Sequence, residues 1–228
     1  MSTPPNAEPQ VRVWDLPTRV FHWTLAACIV GSVITGHVGG NAITWHFRLG
    51  YVVMGLLLFR LTWGLVGGRW SRFASFVYAP RTVLRYLRKE HLPEEHLDVG
   101  HNPLGSLSVF ALLGFLMLQV GTGLVADDEI ANVGPLNRFV SGATAGSATH
   151  WHKDYGQWIL VALVVLHLAA IVVYLRRGDN LVRPMLHGDK PLPPGTPAST
   201  DSVASRGMAV VIAAVCAGIV AWVVGLGG

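Results

Sequence analysis

Charge is scarce in this chain. Only 13% of its 228 residues are Asp, Glu, Lys or Arg, where a soluble domain carries about a quarter. Cysteine is nearly absent: Cys28 and Cys216 both sit inside apolar runs, which excludes a disulfide scaffold, and no CxxCH excludes covalent c-type haem attachment. Also missing is any stretch between the apolar runs long enough for a domain of even ~50 residues with its own core. A large soluble catalytic domain is therefore excluded, and no nucleic-acid partner is expected.

What is present is apolar sequence, at 51% of residues. A spanning helix needs ~20 consecutive apolar residues, and five runs meet or approach that length: Val20–Gly36, His46–Val66, Leu104–Ala126, Tyr155–Leu175 and Met208–Leu226. The first run has Asp15 upstream, no strongly basic segment before it and no clear small-residue cleavage site, so it reads as a retained span rather than a leader. The expected organisation is all-α and membrane-integral. A tail over 1–12 precedes a four-helix domain over 13–189. A Pro/Ser/Thr-rich linker over 190–206 then leads to an additional helix over 207–228.

Basic residues set the expected orientation. Thirteen of the 17 Lys and Arg fall before the first run, between the second and third, and after the fourth; Arg48, Arg138 and Lys153 fall on the other side, and Arg60 is inside the second run. The N-terminus is thus expected in the cytoplasm and the C-terminus in the periplasm of a bacterial inner membrane.

Ten histidines then sort by depth. His91, His96 and His187 fall in polar cytoplasmic loops, and His37 and His150 near the outer interface. The other informative positions lie in or next to spans, where ionisable side chains are rare and tend to be functional. His22 is at the cytoplasmic end of span one and His46 opens span two on the outer side. His152 opens span four, and His167 lies deeper in the same helix. Fifteen residues separate those last two, ~22 Å of rise and about four turns plus 60°. Span four can thus offer one imidazole at each of two depths, with His22 completing the inner pair and His46 the outer.

Two imidazoles facing each other between helices suit the axial positions of a haem iron. The arrangement predicts two b-type haems, ligated by His22/His167 and His46/His152. A structural zinc would instead gather four ligands at one depth. Haem propionates require cations: Arg19, three residues before His22, and Arg60, fourteen after His46, are expected at the inner haem, with Arg48 and Lys153 at the outer.

These segments resemble the bacterial cytochrome b561 family, within the larger group that includes the cytochrome b subunit of nickel–iron hydrogenases. The resemblance covers Val11–Leu186 and rests on WDLPTRVFHW (Trp14–Trp23), HFRLGY (His46–Tyr51), GHNPLG (Gly100–Gly105), TGL followed by DDE (Thr122–Glu129), and WHKDYGQW with a later LH. It implies a four-helix core with two b haems, and its ligand positions fall on His22, His46, His152 and His167. His101, in GHNPLG, stands at the cytoplasmic entry to span three, where it is expected to bond a propionate, line a quinone pocket, or compete with His22 as ligand. Asn102 and Pro103 read as a helix cap and first turn.

Span five departs from that core. It holds no histidine and carries Ala214 and Gly218 at a small-xxx-small spacing, so its expected use is docking to a partner or a second copy. The preferred function is transmembrane electron transfer between a periplasmic redox partner, such as a c-type cytochrome, and the quinone pool or an associated oxidoreductase. Asp127, Asp128 and Glu129 are expected to steer that partner. Two rivals stay open: a superoxide-oxidising or quinone-reducing enzyme, and the anchoring cytochrome b subunit of a hydrogenase or dehydrogenase.

Overall fold

The computed structural model describes residues 8–90, 95, 97–128 and 132–227. The expectations for His91, His96, Glu129 and the first seven residues of the tail lie outside the described residues.

Five helices are long and apolar enough to cross a membrane: Leu16–Val38, Gly40–Val66, Pro103–Val125, Gly142–Arg176 and Val203–Gly225. The chain is therefore an all-α membrane protein. In element terms these are α1 (Leu16–Val38), α2 (Ile43–Val66), α4 (Pro103–Val125), α5 (Gly142–His150) running into α6 (Gln157–Arg176), and α8 (Val203–Gly225). Between them lie the short helices α3 (Pro80–Leu87) and α7 (Val182–His187).

The helix starts follow from local chemistry. Asp15 caps α1: its carboxylate accepts from the Thr18 amide at 2.8 Å, and Leu16-Pro17 fill the first turn, where a missing N–H costs nothing. Asn102 caps α4 as its sequence implies, accepting from the Gly105 amide at 2.7 Å with Pro103 at the first helical position. Ser141 caps α5 through the Thr144 amide. That last cap corrects the expected fourth span. The helix begins at Gly142, not Tyr155, because GATAGSATH is compatible with helix although too small and polar to register as an apolar run. His152 consequently sits within a continuous helical segment instead of opening it.

The chain divides into two compact units. The first comprises Met1–Val20, Thr62–Val109 and Leu168–Ala209. Its core gathers Val13, Trp14, Trp70, Val99 and Leu192. The tail and linker, expected as separate extended segments, meet here: β1 (Gln10–Arg12) pairs antiparallel with β2 (Asp189–Pro191), Gln10 opposite Pro191. The Ser199 amide donates to the Arg12 carbonyl, and the Trp70 indole donates to the carbonyl of Pro197. Asp15 is fully buried and accepts from the Ser71 hydroxyl at 2.6 Å and the Trp63 indole at 3.1 Å, so each of its oxygens is satisfied in the interior.

The second unit comprises Phe21–Leu61, Phe110–His167 and Val210–Gly228. Leu25, Cys28, Val53, Leu57, Leu116 and Leu160 are buried in it, and the Phe21 and Phe59 rings pack at 6.4 Å. On α8, Cys216 and Val223 are buried seven residues apart, and a side chain at Gly55 would meet Val220. This helix therefore packs within its own chain, while Ala214 and Gly218 face outward.

Candidate haem sites

All four histidines singled out by depth fall in the second unit. His46, in the first turn of α2, and His152 stand with ring centroids 5.9 Å apart and planes at 88°. Each ring is fixed from behind. His46 Nδ1 lies 2.9 Å from the Ser32 carbonyl and His152 Nδ1 lies 2.9 Å from the Gln119 carbonyl. A carbonyl oxygen only accepts, so Nδ1 must donate in both rings, and each neutral imidazole keeps its lone pair on Nε2. That is the arrangement of a metal-ligating histidine held by an outer partner.

Glycines make room for both rings. A β-carbon at Gly36 of α1 would fall 3.1 Å from His46 Nδ1, and one at Gly123 of α4 would fall 3.0 Å from the His152 ring. Both histidines line a cavity of about 830 Å³, with Gly36, Gly50, Gly123 and Leu160 among its other walls. This volume lies within the range of cofactor pockets.

His152 belongs to a π-helical segment, Trp151–Gly156, set between α5 and α6. Such turns recur at functional sites. A π turn is wider and rotates less per residue than an α turn. It therefore subtracts from the 60° that straight α geometry leaves between His152 and His167, and brings the two closer to one face. Gln119 spans the irregularity: its side-chain amide donates to the His152 carbonyl at 2.9 Å while its own carbonyl receives His152 Nδ1. Gly156 is buried against the Gln119 side chain, where a β-carbon would collide.

His22 of α1 and His167 of α6 lie near enough for a charge on one to bear on the other. The His22 ring meets the Trp23 ring edge-on at 5.0 Å, and its Nδ1 is buried with no hydrogen-bond partner among the described residues. Among the described residues, no group of three or more His, Cys, Asp or Glu is placed to hold a metal ion. The histidines come in twos, which is a porphyrin's axial requirement and half of a zinc site's.

A family model described as prokaryotic cytochrome b561 matches residues 13–188. The chain belongs to that family. A membrane b-type cytochrome carries haem b and passes electrons. This cytochrome b561 is 26% identical over 211 residues to the protein named "Probable Ni/Fe-hydrogenase 1 B-type cytochrome subunit" of Escherichia coli strain K12, across 77% of this chain and 88% of that one. It is 29% identical over 210 residues to the "Probable Ni/Fe-hydrogenase B-type cytochrome subunit" of Azotobacter chroococcum mcd 1, across 75% and 82% of the two chains. The similarly named Rhodobacter capsulatus protein is 26% identical over 215 residues, across 79% and 81%. No solved structure matches.

The residues present fit haem. His46 and His152, both lining the cavity with Nδ1 committed to a carbonyl, would hold it through their free Nε2 atoms. Of the predicted cations, Arg60 shares the second unit and is 3% exposed, so it does not reach out to the headgroups. Arg19 belongs to the first unit, where it donates to the Leu186 carbonyl at 2.7 Å and lies 4.0 Å from Asp201. His101, also in the first unit, is held between the Trp14 and Phe76 rings at 4.7 and 4.5 Å. Lys153 lines the cavity, whereas Arg48 lies over the Trp45 ring at 4.9 Å. Of the acidic residues, Asp128 accepts from the Asn132 amide and side chain, capping its own turn, and also lines the cavity.

Sequence reasoning missed Ser32, Gln119, Gly36, Gly123 and the π segment. Thr122-Gly123 lay inside a motif it quoted, which was the available signal.

Proposed function

We propose that this cytochrome b561 binds two b haems, one on His46 and His152 near the outer surface and one on His22 and His167 near the cytoplasm, and carries electrons between them across the inner membrane. The observation that carries this reading is the His46–His152 pair, whose Nδ1 atoms are both committed to backbone carbonyls. Haem supplies the electron-accepting iron, and the protein supplies everything that orients it. Ser32 and Gln119 fix the imidazole tautomer, Gly36 and Gly123 admit the rings, and the apolar walls exclude water and set a low dielectric. Arg60 is the counter-charge for the inner propionates. Lys153 serves the outer haem. His101 takes the quinone-side role.

Electrons pass between a redox partner at the periplasmic face and the quinone pool or an associated oxidoreductase. The names of the relatives favour a nickel–iron hydrogenase as that partner over a c-type cytochrome. Orientation follows the thirteen-to-three distribution of basic residues, with the N-terminus inside and the C-terminus outside.

A pyridine haemochrome assay with protein quantitation tests the core of the proposal. Two haems b per chain are expected, and a value of one overturns the double site. Reporter fusions at the two termini check the orientation, which fails if both report the same compartment.

A further inference from the structure

The basic helix α3, Pro80–Leu87, has no part in the haem sites, and its surroundings fix its level. Tyr86 donates to Asp98 at 2.9 Å and is hydrogen-bonded to Tyr174, near the C-terminal end of α6. Tyr174 in turn receives Asn102, the cap of α4, at 2.7 Å. Just before the helix, Tyr78 donates to the His101 carbonyl. The inward side of α3 is thus pinned to the ends of two spanning helices, so the helix lies where a membrane passes from acyl chains to headgroups.

Its outward side is two-edged. Leu84 and Leu87 are 47% and 56% exposed, and Val77, just before the helix, is 63% exposed. Around the helix from them, by 100° per residue, come Arg88, Arg81 and Arg85, and Lys89 follows just past the helix end with φ of 59°. Arg85 is ion-paired with Glu95, while Arg81, Arg88 and Lys89 are exposed. A leucine edge beside an arginine edge, held at the end of the spans, is the pattern of an interfacial helix: the apolar edge enters the acyl boundary and the cations meet phosphates. We propose that α3 with Lys89 is a docking surface for anionic phospholipid headgroups. The complementarity of charge selects this occupant, because three uncompensated cations in so short a segment favour a negative surface. The proposal rests on the chain's membrane character and not on the haem assignments, so either can fail alone.

The test uses the full-length, haem-loaded protein with Cys28 and Cys216 changed to Ala and with Leu84→Cys carrying an environment-sensitive fluorophore. An unchanged haem spectrum reports folding. The protein is placed in nanodiscs of phosphatidylcholine alone or mixed with phosphatidylglycerol. The expected result is a blue-shifted emission that a shallow spin-labelled lipid quenches and aqueous iodide does not, with the shift deepening when phosphatidylglycerol is present. Arg81→Gln, Arg88→Gln and Lys89→Gln together should abolish the phosphatidylglycerol dependence. A fluorophore at Val215→Cys, exposed on spanning helix α8, must read lipid in every disc and validates the quenchers. Iodide quenching in both bilayers, or a shift that phosphatidylglycerol leaves unchanged, overturns the proposal. So does a probe shielded only after a soluble protein is added, which would assign the face to a protein partner.

Discussion

The two histidine pairs use the same side chain within the same unit, yet they are held differently. Behind His46 and His152, a carbonyl from a neighbouring helix takes each Nδ1 proton and a glycine in the same neighbourhood clears space for each ring. Behind His22 the Nδ1 is buried and lacks a hydrogen-bond partner among the described residues. A ligand oriented in advance pays less of the ordering cost when its metal group arrives. The comparison teaches that two sites with equal ligand sets need not be equally preorganised. Apoprotein titrated with haem should fill the His46–His152 site first.

Removing ligands gives the largest effect. His46→Ala should lower the haem content from two per chain to one and remove the outer spectral component, and His167→Ala should remove the inner component. Low-temperature absorption spectra with haem quantitation check both. If either variant keeps both components unaltered, the pairing is wrong. His101→Leu should retain both haems, since His22 is the assigned ligand.

Next come the glycines, which only the His46–His152 pair has against its rings. Gly123→Ala would place a methyl 3.0 Å from His152, and Gly36→Ala one 3.1 Å from His46. Overpacking of this kind typically costs about 1–3 kcal/mol. Each variant should displace one ring, shift the outer haem's spectrum and lower its occupancy, with the inner component unchanged. Equal disturbance of both haems would mean that the glycines serve general packing.

The features behind this contrast differ in how visible they are in the sequence. Five spans and four histidines were legible, because bilayer thickness dictates run length and an imidazole in lipid stands out. The Nδ1 acceptors were not, because they are the backbone carbonyls of Ser32 and Gln119, which any residue supplies. The π segment escaped too: its Trp151–Gly156 sequence satisfies a helix, and the packing of Gly156 against the Gln119 side chain there is visible only in three dimensions. The β1–β2 ribbon was hidden for a different reason. Three-residue strands carry no periodicity, and a Pro-rich linker looks like a spacer until Ser199 and Pro197 are seen bonding the Arg12 and Trp70 backbone and indole groups.

A smaller effect is expected at Gln119, which touches His152 twice but is no ligand. Gln119→Ala keeps the carbonyl that receives Nδ1 and removes only the amide that satisfies the His152 carbonyl within the π segment. The ring keeps its own partner while the backbone that bears it is held less firmly, at a cost below the roughly 10–100-fold of losing a ring partner. Haem dissociation to apomyoglobin should therefore accelerate for the outer haem alone, with a shift in that haem's midpoint potential. An unchanged potential with faster loss of both haems would reduce Gln119 to a packing residue.

The contrast between a built site and a structural tie is sharpened by a change in the other unit. Asp201 is buried against arginines: Arg12 at 2.8 Å, Arg206 at 2.9 and 3.1 Å, and Arg19 at 4.0 Å. Burial by itself pushes its carboxyl up, but the bonds from Arg206, the Leu16 amide and the charge of Arg12 outweigh it and hold the group below the usual carboxylate range. A depressed folded value means that the group's stabilisation is complete above the unfolded value, about 3.9, and is lost as pH falls through the folded one. Asp201→Asn should therefore lower the melting temperature at neutral pH and flatten its decline in acid, because the variant has no proton to take up there. Both haem components should keep their spectra below the melt. Thermal melts from neutral to acid pH, followed at once by helical signal and haem absorbance, check this. Should the variant decline in acid as steeply as the parent, the acid sensitivity belongs to other carboxylates. Should it shed one haem selectively, the tie between the termini is part of that haem's support.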